Sequence, residues 1–170
     1  ESSMKRLVIV ILLGFALCGN VDKYMGFCLL IPRNVEIPIY DYSDHKKISD
    51  YIINDTLKDD YPILTIDSIK DSMAFVHVEY PMGSRKDCKG WILMKYLGVY
   101  INAPGDSLKI YRAPNYDEVA FEIKDVYWGT SYPVIDASEG WLKIVIPDDS
   151  VKTGWVPPEY QSQNPYTPSC

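Results

Sequence analysis

The sequence predicts an all-β protein, two small β-barrels in tandem behind an export signal, and three observations predict it. Tyrosine (14), tryptophan (4) and proline (12) are frequent in a chain of 170 residues, a composition that suits strands, tight turns and exposed aromatic surface over long helices. Short stretches alternate apolar and polar residues, the period-two pattern of half-buried strands. A set of landmarks also recurs in order further along the chain, as in an internal repeat.

In chain order, residues 4–19 read as a signal peptide. Met4-Lys5-Arg6 is a basic start, and Leu7 to Leu17 is an unbroken apolar run, too short to span a bilayer but suited to a signal core. The alternative, a buried strand or helix, fits less well with a Met and two basic residues directly ahead and Cys18-Gly19-Asn20 directly behind. Glu1-Ser2-Ser3 are set aside. Ala16 and Cys18 suit ordinary signal cleavage, whereas Leu17 disfavours lipid attachment at Cys18. The expected location is therefore export to the periplasm or cell envelope, with no membrane span in the mature chain. Cleavage after Gly19 would remove Glu1, Lys5 and Arg6 and leave a remainder slightly more acidic than the whole chain, whose net charge is −6. Such a balance argues against nucleic acid, anionic lipid or phosphate-rich polymers as partners.

Residues 20–34 form a lead-in segment, 35–97 a first module, 98–107 a short linker containing Pro104-Gly105, 108–160 a second module and 161–170 an irregular tail. The repeat sets these limits. Ile39-Tyr40 recurs as Ile110-Tyr111 and Tyr61-Pro62-Ile63 as Tyr132-Pro133-Val134, both at an offset of 71; Phe75 answers Trp141 at 66, and Gly90-Trp91-Ile92 with Tyr96 answers Gly154-Trp155-Val156 with Tyr160 at 64. The drift places five extra first-copy residues near Asp67–Asp71 and two near Gly83–Asp87, both polar and turn-rich. Within each copy, Val76, Val78 and Tyr80, and Leu142, Ile144 and Ile146, are expected to face a core. Phe75, His77 and Glu79, and Trp141, Lys143 and Val145, are expected to face out.

The second copy, with Leu108-Lys109-Ile110-Tyr111-Arg112-Ala113-Pro114, Gly140-Trp141-Leu142-Lys143-Ile144, Thr153-Gly154-Trp155-Val156 and Tyr160, resembles the bacterial SH3-like family. That family opens with a strand and an Arg-containing, Pro-terminated turn, continues with a Gly-Trp strand and closes with a Gly-Trp/Tyr-Val segment near a Tyr. The first copy is a more divergent match, lacking the Arg-x-Pro turn and carrying Phe75 for the Trp. The resemblance implies tandem SH3-like barrels that bind a cell-wall peptide, a glycan or an envelope protein. A periplasmic inhibitor or immunity-type protein is the alternative.

No catalytic motif stands out. There is no nucleophile elbow, phosphate-binding loop, H-E-x-x-H or calcium-loop spacing in the sequence, and Asp59-Asp60 and Asp148-Asp149 read as turn residues. Cys88 and His77 are the nearest approach to a Cys–His pair, but Cys88 lies in a charged hairpin rather than at a helix start. No enzymatic activity, cofactor or metal is expected. Three cysteines, Cys28, Cys88 and Cys170, remain after export, and Cys28 with Cys88 is the disulfide pair to test first. Ligand contacts are expected from aromatic side chains, which bury flat apolar area at small rotamer cost: Tyr40, Tyr42, Trp91 and Tyr96 in the first copy, and Tyr111, Tyr116, Trp141, Trp155 and Tyr160 in the second. A small domain also needs large aromatics for its core, a competing use for Trp91 and Trp155. His77 with Glu79 offers a small polar site or a solvated face, and Tyr127-Trp128-Gly129 an aromatic turn able to pack between the modules.

Overall fold

A computed structural model of the chain describes residues 25–103, 107–124, 126, 130–147 and 149–162. The signal segment, Tyr127-Trp128-Gly129, Asp148, Cys18 and Cys170 lie outside these residues. The fold is all-β. The strands are β1 (Gly26–Leu30), β2 (Ile37–Tyr40), β3 (Ile48–Ile52), β4 (Ile63–Lys70), β5 (Met73–Glu79), β6 (Cys88–Leu93), β7 (Leu97–Ile101), β8 (Ser107–Tyr111), β9 (Val119–Lys124), β10 (Ser131–Ser138), β11 (Trp141–Ile146), β12 (Asp149–Val156) and β13 (Gln161–Ser162). Single 3₁₀ turns at Met94–Tyr96 and Pro158–Tyr160 precede β7 and β13. All pairings are antiparallel, in the order β3-β2-β6-β5-β4-β1-β7-β10-β11-β12-β8-β9, and β13 joins β7 beside β1. Among the described residues no helix is long and apolar enough to cross a membrane.

The pairing of the first half recurs in the second. β2 pairs with β3 and β6 as β8 pairs with β9 and β12, with Tyr40 opposite Trp91 and Tyr111 opposite Trp155. Leu29↔Gly98 and Leu30↔Leu97 match Tyr100↔Ser162 and Ile101↔Gln161. The Ile31 amide donates to the Tyr96 carbonyl at 2.8 Å as the Asn102 amide donates to that of Tyr160 at 2.9 Å. β7 therefore has two roles, closing the first half as β13 closes the second and opening the second half as β1 opens the first. For this reason the lead-in holds β1, and residues 98–101 of the linker belong to β7. Gln161 and Ser162, assigned to the tail, are buried strand residues.

Register also relocates the length differences. Val76 pairs with Gly90 and Ile144 with Gly154, which aligns β5 with β11 at an offset of 68 and places Met73, not Phe75, opposite Trp141 in the repeat. β4 and β10 have 8 residues each, and both carry a bulge, at Ile66/Ser68 and Val134/Asp136. No insertion lies at Asp67–Asp71. The extra first-half residues fall before β4 and in the hairpin between β5 and β6. The Tyr-Pro match was coincidental, since Tyr61-Pro62 precedes a strand and Tyr132-Pro133 lies inside one.

One contiguous core, running from Cys28 to Val156, collects the inward residues of both halves. Val76, Val78, Tyr80, Leu142 and Ile144 are buried in it, and Ile146 packs on it partly exposed. Fully buried aliphatics such as Ile39, Leu64, Ile110 and Leu142 contribute about 1.5–3 kcal/mol each by leaving water. Cys28 is in the same core. Its row across the sheet runs Cys28↔Leu64, Leu64↔Val78, Val78↔Cys88. The two thiols are thus three strand spacings apart, about 14 Å along the sheet, whereas a disulfide needs Cα atoms within about 7 Å. Both cysteines are free, so the pair singled out from sequence for testing as a disulfide is not joined.

Candidate functional site

The outer face of β8, β12 and β11, opposite the core, carries a second apolar cluster of Tyr111, Trp141 and Trp155. Strand alternation puts them there: Ile110, Val156 and Leu142, their sequence neighbours, point the other way into the core. Tyr111 and Trp141 meet with ring centroids 5.5 Å apart. Tyr116, from the turn after β8, packs on both, 5.5 Å from Tyr111 and 4.7 Å from Trp141. Its hydroxyl donates to the Glu159 carboxylate, whose two oxygens both lie at 2.8 Å. Trp141 is consequently only 6% exposed while Tyr116 above it is 58% exposed. Partial desolvation and the neighbouring Glu159 carboxylate push the Tyr116 phenol up to about 12, so the hydroxyl remains a donor at any physiological pH. On the same face Lys143 stands over the Trp155 ring, 5.9 Å from its centroid, at cation–π distance.

The matching face of the first half is built from β2, β6 and β5. Tyr40 lies across from Trp91, and Trp91 meets Phe75 edge-on at 5.4 Å. The position of Tyr116 is taken by His45, whose ring is 5.3 Å from Tyr40, and the position of Glu159 by Lys95, which lies over the Tyr96 ring at 4.9 Å. Tyr40, Phe75 and Trp91 are all half-buried. Identical close approaches fix the two faces. A Cβ on Gly90 would come within 2.5 Å of Ile39 Cγ2 and 2.8 Å of the Tyr40 carbonyl, and one on Gly154 within 2.3 Å of Ile110 Cγ2 and 3.0 Å of the Tyr111 carbonyl. Each Gly-Trp motif thus exists because a bare backbone must pass over the strand carrying the face's tyrosine.

Of the nine aromatic residues singled out from sequence, the structure brings Tyr40 together with Trp91, and Tyr111 with Tyr116, Trp141 and Trp155. Tyr42 is 63% exposed in the turn after β2. Tyr96 and Tyr160 sit in the 3₁₀ turns, packed partly buried against the main core rather than on either face. Sequence reasoning missed His45, Lys95 and Glu159. Their positions relative to Tyr116 and the Gly-Trp motifs carry the signal, legible only after the repeat is aligned.

The polar candidates separate. His77 faces outward, and its Nε2 lies 2.7 Å from an Asp67 carboxylate oxygen. Cys88, paired with buried Val78, packs instead toward the core, and burial pushes its thiol up to about 11. Both border an open depression of about 370 Å³ with Glu79, Asp87 and Lys89, but His77 pairs with Lys89 across the strands, not with Cys88. Asp60 is a buried carboxylate in a tight loop bridged by Asp55 and Asp60, its Oδ2 4.0 Å from Arg85 Nε. Among the described residues no group of three or more His, Cys, Asp or Glu is placed to hold a metal ion.

No protein-family model, curated protein or solved structure matches the chain.

Proposed function

We propose that the protein is an exported, non-catalytic binding protein, two SH3-like modules in tandem, which recognises a cell-wall peptide or glycan through its outer aromatic faces. One observation carries this reading: an aromatic face recurs on the outer side of the sheet at the same register in both halves, outside the core that stabilises the fold. In the first half Tyr40, Phe75 and Trp91, half-buried and held by backbone close approach, offer flat apolar surface to a ligand at little ordering cost. The acidic balance favours neutral or cationic ligands. Three exposed tyrosines, Tyr42, Tyr51 and Tyr116, favour a second reading as an inhibitor or immunity-type protein, since exposed Tyr is a frequent anchor in protein interfaces.

The test is retention of residues 20–170 on purified peptidoglycan sacculi at low and physiological salt, beside Trp91→Leu and Trp141→Leu, which keep an apolar side chain and lose the flat ring. Salt-resistant retention that falls about tenfold in either folded variant is expected, a ring-stacking loss of ordinary size. Absence of retention by the unaltered chain and by every variant rejects wall recognition and directs the search to a one-to-one protein complex.

A further inference from the structure

The two faces differ in one respect that the repeat does not require: the second is covered by a side chain of its own. Tyr116 lies on Trp141 and Tyr111 and is tied by its hydroxyl to Glu159. We infer that Tyr116 is a latch, an internal occupant of the second aromatic face that a ligand must displace, and that Glu159 is the catch that holds it. The inference rests on the binding reading above and adds its regulation.

Four features of the turn fit a latch better than a packed element. Its base is fixed, because the Arg112 amide donates to the Glu118 carbonyl at 3.0 Å and the Arg112 Nε pairs with Glu118 Oε1 at 2.6 Å. Its tip is held internally only by short-range bonds, the Asn115 amide to the Ala113 carbonyl at 2.8 Å and the Asp117 amide to the Asn115 side chain at 3.1 Å. No strand hydrogen bond runs through Tyr116, so it can turn about its own side-chain torsions without breaking the sheet. The surface it covers is the aromatic cluster of Tyr111, Trp141 and Trp155, and Trp141 behind it is nearly sealed from water. In the first half the equivalents are His45, exposed, and Lys95, whose ammonium lies over the Tyr96 ring. That face has no catch, and its Trp91 is half-buried.

The latch also states what can open it. A ligand ring replacing Tyr116 has to cover Trp141 and Tyr111 and offer the carboxylate a donor. A lone phenol from another chain would gain nothing over the tethered one, which competes at high effective concentration. A ring bearing several hydroxyl or amide donors, as a wall sugar does, has hydrogen bonds in excess of the one it displaces. Apparent affinity is then the intrinsic affinity reduced by the fraction of molecules with the latch open.

The experiment measures affinity for sacculi in the unaltered chain, Tyr116→Phe, which keeps the ring and cuts the bond to Glu159, and Tyr116→Ala, which removes the cover. 5-Fluorotryptophan labelling reports Trp141 exposure by ¹⁹F NMR in each, with that resonance assigned from Trp141→Leu. A charge-assisted hydrogen bond and one ring contact together predict about threefold tighter binding for Tyr116→Phe and about tenfold for Tyr116→Ala, with Trp141 exposed in the latter. Weaker or unchanged binding by Tyr116→Ala overturns the latch and makes Tyr116 a ligand contact or a bystander, while retention itself leaves the binding reading standing. No retention even with the cover removed overturns both.

Discussion

The two aromatic faces share a backbone and differ in how they are closed. In each, a strand bearing tyrosine passes under a glycine and pairs with the tryptophan that follows it, Tyr40 with Trp91 and Tyr111 with Trp155. The second face then gathers Trp141 and Tyr116 and excludes water, while the first ends in Phe75 and His45 and stays half-open. Register therefore fixes where a face forms, and two side chains, one at a turn tip and one in a 3₁₀ turn, decide whether it is covered. Tyr116 and Glu159 are hydrogen-bonded across those positions, while Lys95 lies over the Tyr96 ring.

The sharpest way to break the comparison is at the shared close approach. Gly90→Ala and Gly154→Ala each force a methyl to within 2.5 Å of an isoleucine methyl that sits at 0% exposure. Both are expected to cost about 3 kcal/mol, the upper range for overpacking a tight core. Because β7 pairs with β1, β10 and β13, each substitution should lower a single unfolding transition of the whole chain. Chemical denaturation followed by tryptophan fluorescence and far-ultraviolet circular dichroism checks this. Two separated transitions, with only the substituted half lost early, would show that the halves are independent and that β7 does not couple them.

Next in size is the difference between the tryptophans. Trp155 is 8% exposed and Trp91 is half-buried. Replacing a buried Trp with Ala costs about 3 kcal/mol or more, so Trp155→Ala should lose about 3 kcal/mol and Trp91→Ala about half of that, measured as the shift in denaturation midpoint at constant slope. Equal losses would mean that the first face is as closed in solution as the second, and the contrast between them would fall.

The contrast also shows which parts of the molecule were legible in the sequence. Period-two alternation gave the facing of Val76, Val78, Leu142 and Ile144, because a strand with one buried face leaves no freedom in that pattern. The Gly-Trp pairs were visible because a steric demand on one backbone atom admits only glycine. The register between β5 and β11 was not, since Phe75 and Trp141 are both outward aromatics two residues apart in the alignment, and a shift of two keeps every side chain on its face. β1 was missed because Gly26-Phe27-Cys28-Leu29-Leu30 is too uniformly apolar to alternate, even though Phe27 is exposed while the other four are buried between β4 and β7. β7 was cut short for a related reason: a strand used by both halves has no turn signal at the point where one copy of the repeat passes into the next. Glu159 and Tyr116 stand 43 residues apart, and nothing local couples them; only the folded sheet brings a 3₁₀ turn beside a loop tip.

The smallest effect isolates that pair. With its ionisation raised from 10.0 to about 12, the Tyr116 phenol stays protonated in the folded state through a range where the unfolded chain already loses the proton. Whatever stability the Tyr116–Glu159 bond contributes is present below about pH 10 and declines as pH rises from there through about 12, because the unfolded state binds fewer protons in that window. Ultraviolet difference absorbance of phenolate between the unaltered chain and Tyr116→Phe should therefore show a single tyrosine ionising near 12, and Glu159→Gln should bring it down by removing the adjacent negative charge. A difference curve centred near 10 in the unaltered chain would mean that the hydroxyl spends its time in water rather than on Glu159, and the second face would then be as open as the first.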